Sequence, residues 1–212
     1  MPLSAALLLI AAFIAMLVGR LQPAPGRGPV PWLTLAIVAA LALAGAAQWA
    51  WPTLLFHFER NACAIMGGEV YRLFTALWFQ DGGLAGGGFN LVMALLVGSL
   101  AERLWNRRGW LLLYFGAGLA GEGVGLWWQP IGAGNSIAWM GLAGGMLVSN
   151  WAAVRFDAVT VLRAIGLGAG VALAVERDIH GAALLIGAAI GLVLIRIGHG
   201  LRARAEPPAP LA

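Results

Sequence analysis

Three side chains have the types that acyl transfer requires: Asn90, Ser136 and His180. A serine hydroxyl is a weak nucleophile until a base lies within hydrogen-bond reach. Histidine is the usual base near neutral pH. The reaction also needs donors for the negative oxygen that develops on the substrate. The Asn90 amide can supply one and the Ser136 backbone N–H another. The latter is unpaired at a helix start, where the positive end of the helix dipole favours an anion. The same residues have plainer readings. Gly134-Asn135-Ser136 is good N-cap chemistry, an interfacial histidine can bond to water, and an asparagine in a span can join two helices. The other histidines are placed differently, His57 in an outer segment and His199 near the inner end of the last span.

The elements that must position these groups are membrane spans. The chain has 212 residues, of which 61% are hydrophobic and 10% charged. A soluble domain carries roughly a quarter charged residues. Seven apolar segments are expected, over residues 3–18, 32–51, 86–102, 109–127, 136–154, 158–175 and 179–197. They are helices, because a backbone in lipid must satisfy its own hydrogen bonds, and alternating barrel-strand patterns are absent. No basic residue precedes the first apolar run, which sets it apart from a secretory signal; it is read as a retained helix. Arg20, Arg27, Arg103, Arg107, Arg108, Arg155, Arg202 and Arg204 fall in alternate loops. By the positive-inside rule these face the cytoplasm, so the N-terminus is outside and the C-terminus inside. Ser136, His180 and Asn90 then share a shallow depth at the outer face. The net charge of +4 is accordingly a topology signal and not a nucleic-acid footprint. The single cysteine, Cys63, excludes an internal disulfide and a cysteine-based metal cluster. Trp32, Trp51, Trp78, Trp110, Trp127 and Trp128 near span ends read as an interfacial belt. Residues 52–85 read as outer interfacial helices, and the tail from Glu206 as disordered. Glu122, inside the fourth span, is expected to be protonated or paired; a solute- or lipid-handling protein would place its function there.

From about Leu55 to Gly191 the chain resembles the rhomboid family of intramembrane serine proteases. Gly68-Glu69-Val70-Tyr71-Arg72-Leu73-Phe74-Thr75 is similar to that family's first-loop signature. Phe89-Asn90-Leu91 is similar to its H-x-x-x-N element, and Ala101-Glu102-Arg103 to the end of the same helix. Gly134-Asn135-Ser136-Ile137-Ala138-Trp139-Met140-Gly141 resembles G-x-S-G-A-I-F-G around the nucleophile. His180, Gly187 and Gly191 resemble the last-helix pattern. The separations are 46 residues from Asn90 to Ser136 and 44 from Ser136 to His180.

The resemblance implies an all-α polytopic membrane protein: a rhomboid-like six-helix bundle over residues 32–200, an extra N-terminal helix and loop over 1–31, and a tail over 201–212. It implies Ser136 as nucleophile, His180 as general base and acid, and Asn90 with the Ser136 N–H as oxyanion donors. Gly134, Asn135, Ile137, Gly86 and Arg72 would form the surrounding pocket. It implies a dyad with no carboxylate third member. Substrates would be membrane-spanning helices cut near the outer face, with neither metal nor organic cofactor; the alternative is an inactive relative that binds client helices. The short loops and the lack of a transit peptide suit a bacterial inner membrane. Three positions depart from the pattern. Gly86 stands where the family has its oxyanion histidine, a loss for which water or Asn135 would substitute. Ile137 replaces a glycine and is expected to narrow the pocket. Ala183 replaces a glycine and is expected to hold the last helix off the serine helix. The run 82–88, five of seven residues glycine, reads as a flexible loop into a helix start, or as a place of close backbone approach to a substrate strand or of room for water above the serine.

Overall fold

The computed structural model describes residues 3–22, 30–150 and 157–205, the last seven without side-chain detail. Arg27, Arg155, the end of the expected fifth span and the tail from Glu206 lie outside the described residues, as do the side chains of His199, Arg202 and Arg204. The helices in order are α1 (Leu3–Leu21), α2 (Trp32–Ala50), α3 (Thr53–Phe58), α4 (Ala62–Met66), α5 (Arg72–Thr75), α6 (Gly83–Leu104), α7 (Arg107–Leu111), α8 (Ala117–Trp128), α9 (Ser136–Val148), α10 (Ala158–Val175) and α11 (Ile179–Ala205). A π-helical turn, Leu112–Gly116, joins α7 to α8. Two short strands, β1 (Arg60–Asn61) and β2 (Ile131–Gly132), pair antiparallel.

Among the described residues, five helices are long and apolar enough to cross a membrane: α1, α2, α6, α10 and α11. The protein is a predominantly helical integral membrane protein. Two of the seven expected segments differ in form. The fourth is broken by the π-helical turn, and the fifth stops at Val148 after 13 residues. The Ser149 hydroxyl turns back to the Met146 carbonyl at 2.7 Å, and Asn150 adopts a left-handed φ of 53°, so the helix cannot continue. The glycine run is not a loop: Gly83–Gly88 form the first turns of α6.

α9 is the centre of the bundle. After Ser136 it carries no polar side chain, and all twelve residues from Ile137 to Val148 are buried. A helix apolar on every side must be enclosed, and here α11, α6, α8 and α1 enclose it. The tightest contact is with α11. A Cβ on Gly144 would lie 1.9 Å from the Leu184 carbonyl oxygen, and one on Gly187 would lie 2.1 Å from that of Gly141. Small residues let membrane helices approach until backbones touch. The N-terminal helix joins the same core: Ala11, Ala12, Ala15 and Val18 are fully buried, and α1 packs along α10, α9 and α6. α2 packs on α6, where the Glu102 carboxylate accepts the Leu33 and Thr34 N–H groups at 3.1 and 2.8 Å. The acidic end of α6 thereby satisfies donors that a helix start leaves unpaired. Trp110 does not belong to an interfacial belt. It is 1% exposed and donates to the Gly98 carbonyl at 3.0 Å.

Candidate functional site

The starts of α6, α9 and α11 meet at one end of the bundle. There the His180 Nε2 lies 2.9 Å from the Ser136 Oγ. Both residues are half-buried. The cap reading of this segment does not describe it, since neither Asn135 nor Ser136 caps α9 through its side chain: Asn135, at the N-cap position, makes no such bond. The serine hydroxyl is engaged across the α9–α11 interface instead.

His180 has a second partner that the resemblance excludes. Its Nδ1 lies 2.6 Å from the Asp178 Oδ1, and the same oxygen accepts the His180 backbone N–H at 2.9 Å. Where the resemblance leads one to expect no carboxylate, one stands against the ring. The turn between α10 and α11 brings Asp178 into place. The Asp178 N–H donates to the Leu173 carbonyl at 2.9 Å and the Arg177 N–H to that of Ala174 at 3.0 Å, the two bonds of a Schellman motif. Glycine usually fills the left-handed position of that motif, and Arg177 fills it here with φ 56°. Arg177→Gly is therefore expected to stabilise the protein by about 0.5–1 kcal/mol, read as a higher thermal midpoint in micelles. Burial alone would raise the Asp178 carboxyl; the hydrogen bond from the His180 ring, its charge and its backbone N–H outweigh that and hold the carboxyl below its usual range.

A chain of amides borders the hydroxyl. The Asn90 Nδ2 donates to the Gln80 Oε1 at 2.7 Å, and the Gln80 Nε2 donates to the Asn135 Oδ1 at 3.1 Å. The backbone of Gln80 is held in turn by Gln48 of α2, at 2.7 and 2.9 Å. One point locates the arrangement. A Cβ on Gly134 would lie 3.2 Å from Ser136 Oγ, 3.6 Å from Gln80 Oε1 and 3.7 Å from Asn90 Nδ2. Gly134 thus leaves open the space that these three polar groups surround. A cavity of about 550 Å³ between α2 and α6 reaches Gln80, lined by Leu41, Gly45, Trp49, Leu84 and Leu91 among others.

No family model, curated protein or solved structure matches this chain.

The departures noted in the sequence resolve individually. At Gly86 an added Cβ would meet nothing within 4 Å, so the histidine position is open space. Gln80 packs against the next residue instead, with its Cγ 3.5 Å from where a Gly87 Cβ would be. Ile137 does not narrow the pocket. It is 2% exposed, and its Cγ2 lies 2.5 Å from the position of a Gly121 Cβ, so it points into α8. Ala183 does not hold α11 off α9 either. Its methyl also faces Gly121, at 3.2 Å from that Cβ position, and the α9–α11 backbones still touch at Gly144 and Gly187. Arg72 belongs to the segment 52–85: its Nε donates to Glu69 at 2.6 Å and its Nη1 to the Phe56 carbonyl at 2.8 Å. Among the residues quoted for the site, it is the one held by partners in that segment.

Glu122 is paired, and its partner is Arg60, both completely or almost completely buried. Arg60 also donates to the Gln129 carbonyl at 2.8 Å, and a Cβ on Gly125 or Gly132 would stand within 3 Å of its guanidinium. The two glycines make the slot that admits it. A buried pair of this kind is costly to break, so it locks the segment 52–85 to α8. Sequence reasoning missed Arg60, Gln80 and Asp178. A signal existed for Asp178 alone, which stands two residues before the histidine.

Proposed function

We propose that the chain is a rhomboid-type intramembrane serine endopeptidase that cuts membrane-spanning helices near the outer face of a bacterial inner membrane. The observation that carries this reading is the 2.9 Å contact between the Ser136 hydroxyl and the His180 ring. The Ser136 Oγ attacks the scissile carbonyl carbon while its proton passes to His180 Nε2. The oxyanion forms beside the Ser136 N–H and the Asn90 amide. His180 returns the proton to the leaving amine, which departs, and an ester on Ser136 remains. Water then attacks the ester, giving its proton to His180 and, through it, to Ser136. The acid product leaves and the hydroxyl is restored. The length of α9 supports a submerged site. Thirteen residues rise about 20 Å, against a hydrocarbon layer of about 30 Å, so a helix starting at Ser136 need not begin at the membrane surface. The apolar cavity beside Gln80 suits a hydrophobic substrate segment. Counting the broken helix from Arg107 to Trp128 and α9 as spans gives seven, with the N-terminus outside.

A second reading has its own observation. The histidine position is the open space at Gly86, and Gln80 takes one of the two Asn90 amide hydrogens, so the oxyanion side is weaker than the nucleophile side. A client-binding protein without catalysis fits that imbalance. Labelling with a fluorophosphonate separates the two. The protease is expected to be modified on Ser136, shown by mass spectrometry, and Ser136→Ala to take up no label. An unlabelled wild type that still captures membrane helices would overturn the enzyme reading in favour of the second.

A further inference from the structure

We propose that Asp178 is the third member of a Ser136–His180–Asp178 relay, a positioning residue that fixes the His180 ring by accepting its Nδ1 proton. The inference rests on the hydrolase reading above and adds to it a carboxylate that a dyad lacks.

Three observations carry it. The Asp178 Oδ1 is 2.6 Å from His180 Nδ1, a separation typical of a charge-assisted bond. On the far side of the same ring, Nε2 is 2.9 Å from Ser136 Oγ. The side chains of Asp178 and His180 are only 15% and 21% exposed, so water competes weakly for either bond. A carboxylate can only accept. The ring nitrogen beside it must therefore be the one bearing hydrogen, which leaves Nε2 with a lone pair facing the hydroxyl. A histidine ring without such a partner does not favour that tautomer, and the wrong tautomer cannot take a serine proton. As Ser136 attacks, its proton moves to Nε2 and the ring becomes a cation while Nδ1–H stays on its nitrogen. The negative charge on Asp178 stabilises that cation. When Nε2–H passes to the leaving amine, the ring is neutral again and no proton has left Asp178.

The competing explanation is that Asp178 only caps α11, since its Oδ1 also accepts the His180 N–H at 2.9 Å. Serine and asparagine cap helices as well as aspartate, which makes the two roles separable. Asp178→Ser retains an N-cap oxygen but is one bond shorter toward the ring; Asp178→Asn keeps cap and outline and removes only the charge. In full-length protein in micelles, Asp178→Ser is expected to slow fluorophosphonate labelling of Ser136 on the order of 100-fold, and Asp178→Asn about tenfold or more. The chain has three histidines, so ¹⁵N-histidine spectra, assigned by His180→Ala, report which nitrogen holds the proton. The expected result is Nδ1 in the wild type and a shift toward Nε2 in Asp178→Ser. Labelling of both variants within threefold of wild type, or an Nδ1 proton unmoved in Asp178→Ser, would overturn the relay. A wild type that takes no label at Ser136 sinks the hydrolase reading instead, and the spectra still decide whether Asp178 fixes the ring.

Discussion

His180→Ala is expected to leave a folded protein whose Ser136 is chemically inert, with peptide hydrolysis lower by on the order of 10⁴-fold or more. The size follows from the loss of both proton transfers at once. Without the ring, the serine hydroxyl keeps its proton as it attacks, and the leaving amine must depart unprotonated. No other imidazole substitutes, because His57 lies on α3 and His199 near the far end of α11. The fold should survive, since His180 is half-buried at a helix start and its backbone N–H still meets Asp178. The measurement is cleavage of a membrane-helix substrate, alongside fluorophosphonate uptake and a thermal melt. Activity within tenfold of wild type would rule His180 out as the base.

Gly144→Ala is expected to damage the site through a single methyl placed well below it. The added carbon would lie 1.9 Å from the Leu184 carbonyl oxygen and 2.8 Å from the Ala188 nitrogen. Neither atom is on a flexible side chain, so α11 must move away from α9. Overpacking of this kind costs about 1–3 kcal/mol. The displacement acts on the one interface that holds His180 against Ser136. Labelling of Ser136 should fall at least tenfold, together with a lower melting temperature. Gly168→Ala is the control: it lies on α10, where an added Cβ meets nothing within 4 Å, and should change neither quantity. A Gly144→Ala protein that labels and melts like wild type would show that backbone contact does not set the Ser136–His180 separation.

Much of this molecule is written in local sequence. Apolar runs with almost no charge can only be helices in lipid, and for that reason the starts of α1, α2, α9, α10 and α11 fall at or within a residue of where hydropathy places them. Glu122 had to be protonated or paired because a lone buried carboxylate is too costly, and the sequence contains few cations outside the basic loops. The order Asn90, Ser136, His180 likewise requires no tertiary information, since alternate helix starts return to the same end of a bundle.

The remainder depends on distances that no sequence pattern encodes. A two-residue strand pair, Arg60–Asn61 with Ile131–Gly132, has no periodicity to detect. Ile137 and Ala183 look like intruders in a glycine pattern, yet Gly121 on a third helix receives both methyls. Gln80 was one polar residue among several in a mixed segment until α2, α6 and α9 closed around it. Composition and hydropathy thus determined that this is a helical membrane protein and which groups open its spans. Only packing decided that a carboxylate, an imidazole and a hydroxyl stand in line, because their separations depend on how closely glycine lets two helices approach and on a left-handed turn at Arg177.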